Sequence, residues 1–416
     1  MGFPERLRAL LAEHGVSQRA LARKVPCSTA QVSLLVNGKR QPSPRMAKRI
    51  DDILGAGGEL TACLQDVLGG DGVLAALVPA GPGMLGAFGP VDATDLGAWA
   101  ERASTGDGTI GYLAAASRRL TDDYSTGSPL PILAEAMSLQ RRVAQILRSG
   151  HHRLGHVRDL YVISAELLAF MSSIASDFGQ SAAAEAYGHA AWTMADEAAA
   201  DGVRALALSS LAKAAQWERR YQEAADYARR GLRHSPATSM AVLLACQEAH
   251  AWQAAGNVSR AWEALRRAQV ARDGITEPDE AGAYRACPRA RQANYAIVVH
   301  LRAGDVAGAL GQVAAADAAY ADGDQRAYGT WAQVRIGAAI ARARSGDAGG
   351  AAHELTPVLR MPAGQRVATI TSRLPAVTAA LAAQGHTGHD AAVLAERIAS
   401  FRSAGPGLTM STPGQE

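Results

Sequence analysis

Aromatic side chains are scarce: they make up 5% of the 416 residues, with five phenylalanines in all, although 48% of the chain is apolar. The apolar content is therefore mostly alanine and leucine. That argues against sheets, whose faces favour β-branched and aromatic residues, and for closely packed helices. Cysteine is scarcer still. Cys27, Cys63, Cys246 and Cys287 stand far apart with no Cys-x-x-Cys pair, which leaves no framework for disulfides or a zinc cluster and fits a reducing compartment. No apolar run approaches about 18 residues, so no membrane span is expected. Met1 leads straight into Glu5-Arg6-Leu7-Arg8, so no secretory leader is expected and the location predicted is cytoplasmic.

Catalytic signatures are missing as well. The chain has no P-loop, no Gly-x-Ser-x-Gly elbow and no His-Glu-x-x-His helix. Ser210-x-x-Lys213 lacks the companion motifs of a serine hydrolase. Gly81-x-Gly83-x-x-Gly86 matches a dinucleotide fingerprint without a strand–turn–helix around it. His151, His152 and His156 have no carboxylate or cysteine neighbours and stand beside Arg153 and Arg158, so they read as a polar helix start rather than a metal site. No catalytic residue, cofactor or metal is expected.

Charge is unevenly placed. Residues 1–54 hold ten Lys/Arg against four Asp/Glu, about +6, within a chain of net charge +3. A basic head on a near-neutral body is the distribution expected of a phosphate-binding module with a separate domain attached. Within the head, Leu7, Leu10 and Leu11 share a helical face that stops at His14-Gly15. Ser17 is placed to cap a second helix through Lys24, with Leu21, Ala22 and Val25 facing inward. Ser28 is placed to cap a third, with Val32 and Leu35 in the core and Asn37-Gly38 as its stop. A fourth follows Pro42-Ser43-Pro44 and buries Met46, Ala47, Ile50 and Leu54.

This layout resembles phage repressors and Xre-type helix-turn-helix regulators, in Ser17-Gln18-x-x-Leu21-Ala22 and in the close Asn37-Gly38-Lys39-Arg40-x-Pro42-Ser43. Pro26-Cys27 departs from that pattern, because proline cannot take the positive φ of the usual turn glycine. The resemblance implies that the third helix enters the major groove of double-stranded operator DNA, with Thr29, Ala30, Gln31, Ser33 and Leu34 toward base edges. It also implies phosphate contacts from Gln18, Lys39 and Arg40, near the cap Ser28.

Residues 66–131 read as a linker with connecting helices over 94–103 and 110–124; residues 69–97 are rich in Gly and Pro. From 132 to 403 the pattern is a repeat. Turns recur at Phe178-Gly179-Gln180, Ala255-Gly256-Asn257, Ala303-Gly304-Asp305 and Ser345-Gly346-Asp347, each followed by a small residue at one offset (Ala184, Ala261, Ala309, Ala351). Residues 204–236 fit the same scheme, and a last pair near Gln384-Gly385 is placed to cap the stack. These segments resemble tetratricopeptide repeats, lengthened from the ideal of about 34 residues. Residues 404–416 read as a disordered tail.

The expected fold is thus all-α: a lambda-repressor-like helix-turn-helix domain (residues 1–65) followed by a tetratricopeptide-like α-solenoid. In such a stack the first helices line a concave groove. That places Lys213, His250, Gln253, Arg291, Asn294, Arg335 and Arg342 on the groove wall, together with Ser209 and Gln216. Asn294 is the most distinctive, because the other two asparagines, Asn37 and Asn257, sit at turns. Trp192, Trp217, Trp252, Trp262 and Trp331 read as repeat packing.

The architecture resembles the peptide-responsive Rap/NprR/PlcR/PrgX group and the actinobacterial helix-turn-helix–tetratricopeptide regulators. It implies a dimeric transcriptional regulator whose body binds a short peptide or a small molecule. A protein-interaction scaffold, with DNA binding secondary, is the alternative reading.

Overall fold

The computed structural model describes residues 3–25, 29–38, 42, 44–68, 106–149, 152, 154–235, 237–275, 284–386 and 388–403. All regular elements among them are helices, in two compact units, Met1–Gly89 and Pro90–Glu416.

Among the described residues the first unit has five helices: α1 (Phe3–Glu13), α2 (Gln18–Lys24), α3 (Thr29–Val36), α4 (Pro44–Leu54) and α5 (Glu59–Leu68). Leu7, Leu10, Leu21, Val32, Leu35, Ala47, Ile50 and Leu60 form its core. Ser17 Oγ accepts from Ala20 N at 3.2 Å and so caps α2. Gly15 and Gly38 take the left-handed conformation that ends α1 and α3.

The fifth helix is held by a buried carboxylate. Asp51, on α4, accepts from the backbone N–H groups of Leu60 and Thr61 and from the Thr61 hydroxyl, at 3.3, 3.1 and 2.7 Å. Asp51→Ala leaves those two amides without acceptors. Their protection against hydrogen exchange is expected to fall by about 10- to 100-fold, while that of the second unit stays unchanged.

The second unit starts at α6 (Asp107–Asp123) and α7 (Pro129–Arg148). α6 corresponds to the connecting helix expected over 110–124. It packs Leu113 and Leu120 against Ile132, Leu139, Leu160 and Phe170, and so belongs to the core of this body. The helix expected over 94–103, the glycine-rich stretch 69–97 and the tail 404–416 lie outside the described residues.

Helical hairpins follow: α8 (Leu154–Asp177) with α9 (Ser181–Glu197), α10 (Asp201–Trp217) with α11 (Tyr221–Leu232), and α12 (Ser239–Ala254) with α13 (Val258–Asp273). Next come α14 (Arg289–Arg302) with α15 (Val306–Ala321) and α16 (Tyr328–Arg344) with α17 (Ala348–Val358). After a short α18 (Ala368–Thr371), α19 (Pro375–Ala383) pairs with α20 (His389–Ser403). One window of α8 has a mean hydropathy of 1.3, but 78% of it is buried in this core, and Asp159 and Glu166 interrupt its apolar run.

The repeat has a physical basis at two positions. Gly256, Gly304 and Gly346 adopt φ near +80°, and the next residue caps the second helix. Asn257, Asp305 and Asp347 accept from Arg260, Gly308 and Gly350 N–H at 3.1, 2.8 and 2.7 Å. Five positions beyond each turn the small residue is wholly enclosed: Ala184, Ala224, Ala261, Ala309 and Ala351 are at most 1% exposed. Nothing lies within 4 Å of a Cβ added at Gly304, so Gly304→Ala tests conformation alone. It is expected to cost about 1 kcal/mol in urea unfolding.

The stack is not an open groove, because its ends meet. Ser125 O accepts from Tyr328 N at 3.0 Å, and Thr126 O accepts from Gln365 Nε2 at 2.8 Å. Phe178, at the tip of the first hairpin, packs against both the first and the last core clusters. The longest connection, between α13 and α14, also returns to α8. Tyr284 donates to Ala169 O at 3.0 Å, and Arg285 pairs with Glu166 at 2.6 Å.

Candidate functional site

In the first unit, α3 presents Leu34 to solvent (38% exposed) beside half-buried Ser33, whose hydroxyl accepts from Asn37 Nδ2 at 3.3 Å. Gln18 opens α2 and is half-buried. Thr29, Ala30 and Gln31 occupy the first turn of α3, while their side chains lie outside the described residues. So do Pro26, Cys27, Ser28, Lys39 and Arg40.

In the second unit, the ring of hairpins encloses a cavity of about 730 Å³. First helices supply most of its wall: Ser173 and Asp177 from α8, Lys213, Gln216 and Trp217 from α10, Gln247 and His250 from α12, Arg291, Asn294 and Tyr295 from α14, and Gln333 from α16. Alternation of the hairpins turns the first helices of the five hairpins from α8 to α17 inward and their second helices outward. Most of the rest comes from irregular segments, Tyr124 and Ser125 after α6, Tyr284 before α14 and the stretch around α18, with Tyr221 at the start of α11.

Of the residues expected on the groove, Lys213, His250, Arg291 and Asn294 are brought together on this wall, as is Gln216; Gln253, Arg335 and Arg342 are not. Gln253 is buried within α12 packing. Arg335 pairs with Asp317 and Glu354 at 2.5 and 2.9 Å, and Arg342 with Asp347 and Glu354 at 3.1 and 3.2 Å, so both brace α16 against the second helices. Ser209 is engaged by Gln247 at 2.9 Å. Trp252, Trp262, Trp192 and Trp331 pack against Glu248, His300, His234 and Arg326, whereas Trp217 faces the cavity.

Two networks organise the wall. Asp177 accepts from Lys213 Nζ at 2.8 Å, from Tyr124 OH at 2.6 Å and from Thr369 Oγ1 at 3.1 Å. Burial, reinforced by the Asp177 charge, pushes the Tyr124 phenol well above its usual range, so it stays a donor. Burial also lowers the Lys213 ammonium, against the pull of Asp177. In the second network, Asn294 donates to Gln333 Oε1 at 3.0 Å and accepts from Arg373 Nη1 at 3.4 Å. His250 lies edge-on to Tyr295, with centroids 5.9 Å apart. Burial, then the charges of Arg373 and Arg302, hold its imidazole down at about 3, so it is neutral at physiological pH.

Asp177, Tyr284 and Arg373 were not among the residues expected to line the groove. The signal for Tyr284 is the overlong stretch between α13 and α14. For Arg373 it is the polar run Thr369-Ile370-Thr371-Ser372-Arg373, bracketed by Pro362 and Pro375.

A head of this layout on a helical body defines the class of DNA-binding regulators. A family profile described as a helix-turn-helix domain matches residues 3–64, from the start of α1 into α5. No curated protein matches the chain.

Proposed function

We propose that this chain is a cytoplasmic, effector-responsive transcriptional regulator, in which the head binds operator DNA as a dimer and the cavity of the second unit binds the effector. One observation carries the reading: a cavity of about 730 Å³ with polar, charged and aromatic lining, walled mostly by the first helices of successive hairpins, on the same chain as a helix-turn-helix head. The volume suits a small molecule or a peptide of very few residues. An extended peptide is disfavoured because Tyr284 and the segment around α18 reach across what would otherwise be an open groove. Dimerisation follows from the need to place two recognition helices one turn of DNA apart. Effector binding acts by shifting the population of body conformations, which alters the presentation of the paired heads.

The test is fluorescence anisotropy of the full chain on genomic fragments, with and without the low-molecular-mass fraction of cell extract. Affinity is expected to fall steeply with salt and to change with the extract. Lys39→Ala should weaken all sequences alike and lower the salt slope by about 1, whereas Gln31→Ala should relax preference at one base by about 1–3 kcal/mol. Salt-insensitive binding, or none to any fragment, refutes the regulator reading.

A further inference from the structure

The cavity wall carries more positive charge than it neutralises. Asp177 is its only carboxylate among the described residues, and that carboxylate is committed to Lys213. Arg291 donates through Nη1 to the backbone carbonyls of Tyr284 and Ala286, at 3.0 and 2.8 Å. Among the described residues Arg373 donates only to the Asn294 amide oxygen, at 3.4 Å. Neither guanidinium forms an ion pair among the described residues. Elsewhere in this unit Arg285 pairs with Glu166 and Arg335 with Asp317 and Glu354, while half-buried Arg272 and Arg366 donate to backbone carbonyls; Arg291 and Arg373 differ from these in lining the cavity. A guanidinium taken out of water without a counter-charge is strongly unfavourable unless something else supplies the charge.

Resting on the effector reading above, we propose that the cavity takes a small organic anion whose carboxylate or phosphate group is bound by Arg291 and Arg373. Both guanidiniums act on the Tyr295 phenol from within the same wall. Burial draws the Arg373 guanidinium down to about 10, as expected of a cation lacking its partner. Planar forks of N–H donors match oxyanions in two-point fashion. Tyr124, Tyr284, Tyr295 and Tyr328 line the remaining wall and offer ring surface to the body of the ligand. Arg373 lies just beyond α18, on the segment that meets the first hairpin, and Arg291 lies on α14. A bound anion therefore fastens the closing segment to the middle of the stack.

Thermal unfolding and calorimetry of the full chain test this at constant ionic strength. Citrate and benzoate serve as carboxylate probes, inorganic phosphate and glycerol 3-phosphate as phosphate probes, benzamide as the neutral control and sodium chloride as the salt control. At about 10 mM, one anion class is expected to raise the unfolding midpoint by several degrees over chloride, and which class does so identifies the acidic group. Arg291→Gln and Arg373→Gln should each weaken that probe by about 10- to 100-fold. Without ligand, Arg373→Gln should melt about 2–4 °C higher than wild type, because a half-buried cation without an ion-pair partner has been removed. That result also shows that the variant folds. No anion effect beyond chloride, equal binding of benzamide, a shift that survives in the double variant, or a lowered ligand-free midpoint for Arg373→Gln overturns the proposal. DNA affinity is read separately. Anion binding without any change in DNA affinity keeps this site and removes its sensing role, while a DNA response to extract without anion binding does the reverse.

Discussion

Asp177→Ala is expected to destabilise the second unit by about 3–5 kcal/mol, a drop of roughly 5–10 °C in its unfolding midpoint. The magnitude comes from what the truncation leaves behind. Lys213 loses its counter-charge and keeps only the Ser173 carbonyl and hydroxyl, at 3.1 and 2.8 Å, while Arg291 repels it. Tyr124 and Thr369 lose an acceptor at the same time. Those partners stand on three separate stretches of the chain, so one carboxylate joins the start, the middle and the closing segment of the ring. Residues 1–89 hold no tryptophan, while Trp192, Trp217, Trp252, Trp262 and Trp331 stand on helices of this unit, and intrinsic fluorescence in guanidinium therefore reports its unfolding. Adding Lys213→Met to Asp177→Asn should recover much of the loss, with a coupling energy above about 2 kcal/mol. A cost below about 1 kcal/mol for Asp177→Ala shows that the carboxylate does not hold the ring.

How far the chain could be read in advance depends on where periodicity operates. Hairpins announce themselves because a left-handed glycine followed by Asn or Asp both stops one helix and caps the next, as at Gly256-Asn257, Gly304-Asp305 and Gly346-Asp347. Where that turn has a non-glycine, Arg219 at φ +60°, the alanines that follow carry the pattern instead. First-helix residues such as Lys213, His250, Arg291 and Asn294 were legible because alternation of hairpins decides which helix faces inward. Gln253, Arg335 and Arg342 show the limit of that rule. They sit on first helices too, but three or four residues along a helix moves a side chain to another face, and only packing angles decide which face is open. Asp177, Tyr284 and Arg373 depend on closure of the ring, a contact between residues far apart in the chain that no local pattern encodes. For the head, the spacing of apolar residues, caps and stops was enough for the first four helices, since their core is local; α5 was not placed, because it is held by the buried Asp51 carboxylate rather than by a repeated pattern.

Acidification should weaken the second unit through one imidazole. The His250 pKa is lowered from the ordinary 6.5 to about 3, by burial first and then by Arg373 and Arg302. In the unfolded chain the ring takes up its proton near pH 6.5; in the folded protein it does not until about pH 3. Between those values the unfolded state binds more protons, so stability is complete above about 6.5 and falls as pH drops through the window. From about pH 7.5 to about pH 5 the loss assignable to His250 is about 2 kcal/mol. His250→Leu should remove that share, flattening the pH profile of guanidinium midpoints while leaving the value at about pH 7.5 little changed. The same ring then reports on the cavity. An anion on Arg373 offsets one of the two charges that oppose the imidazolium, so the loaded protein should lose less stability on acidification than the free protein. Greater acid sensitivity in the presence of a bound anion contradicts that placement, because it requires the ligand to leave Arg373 unneutralised beside the ring.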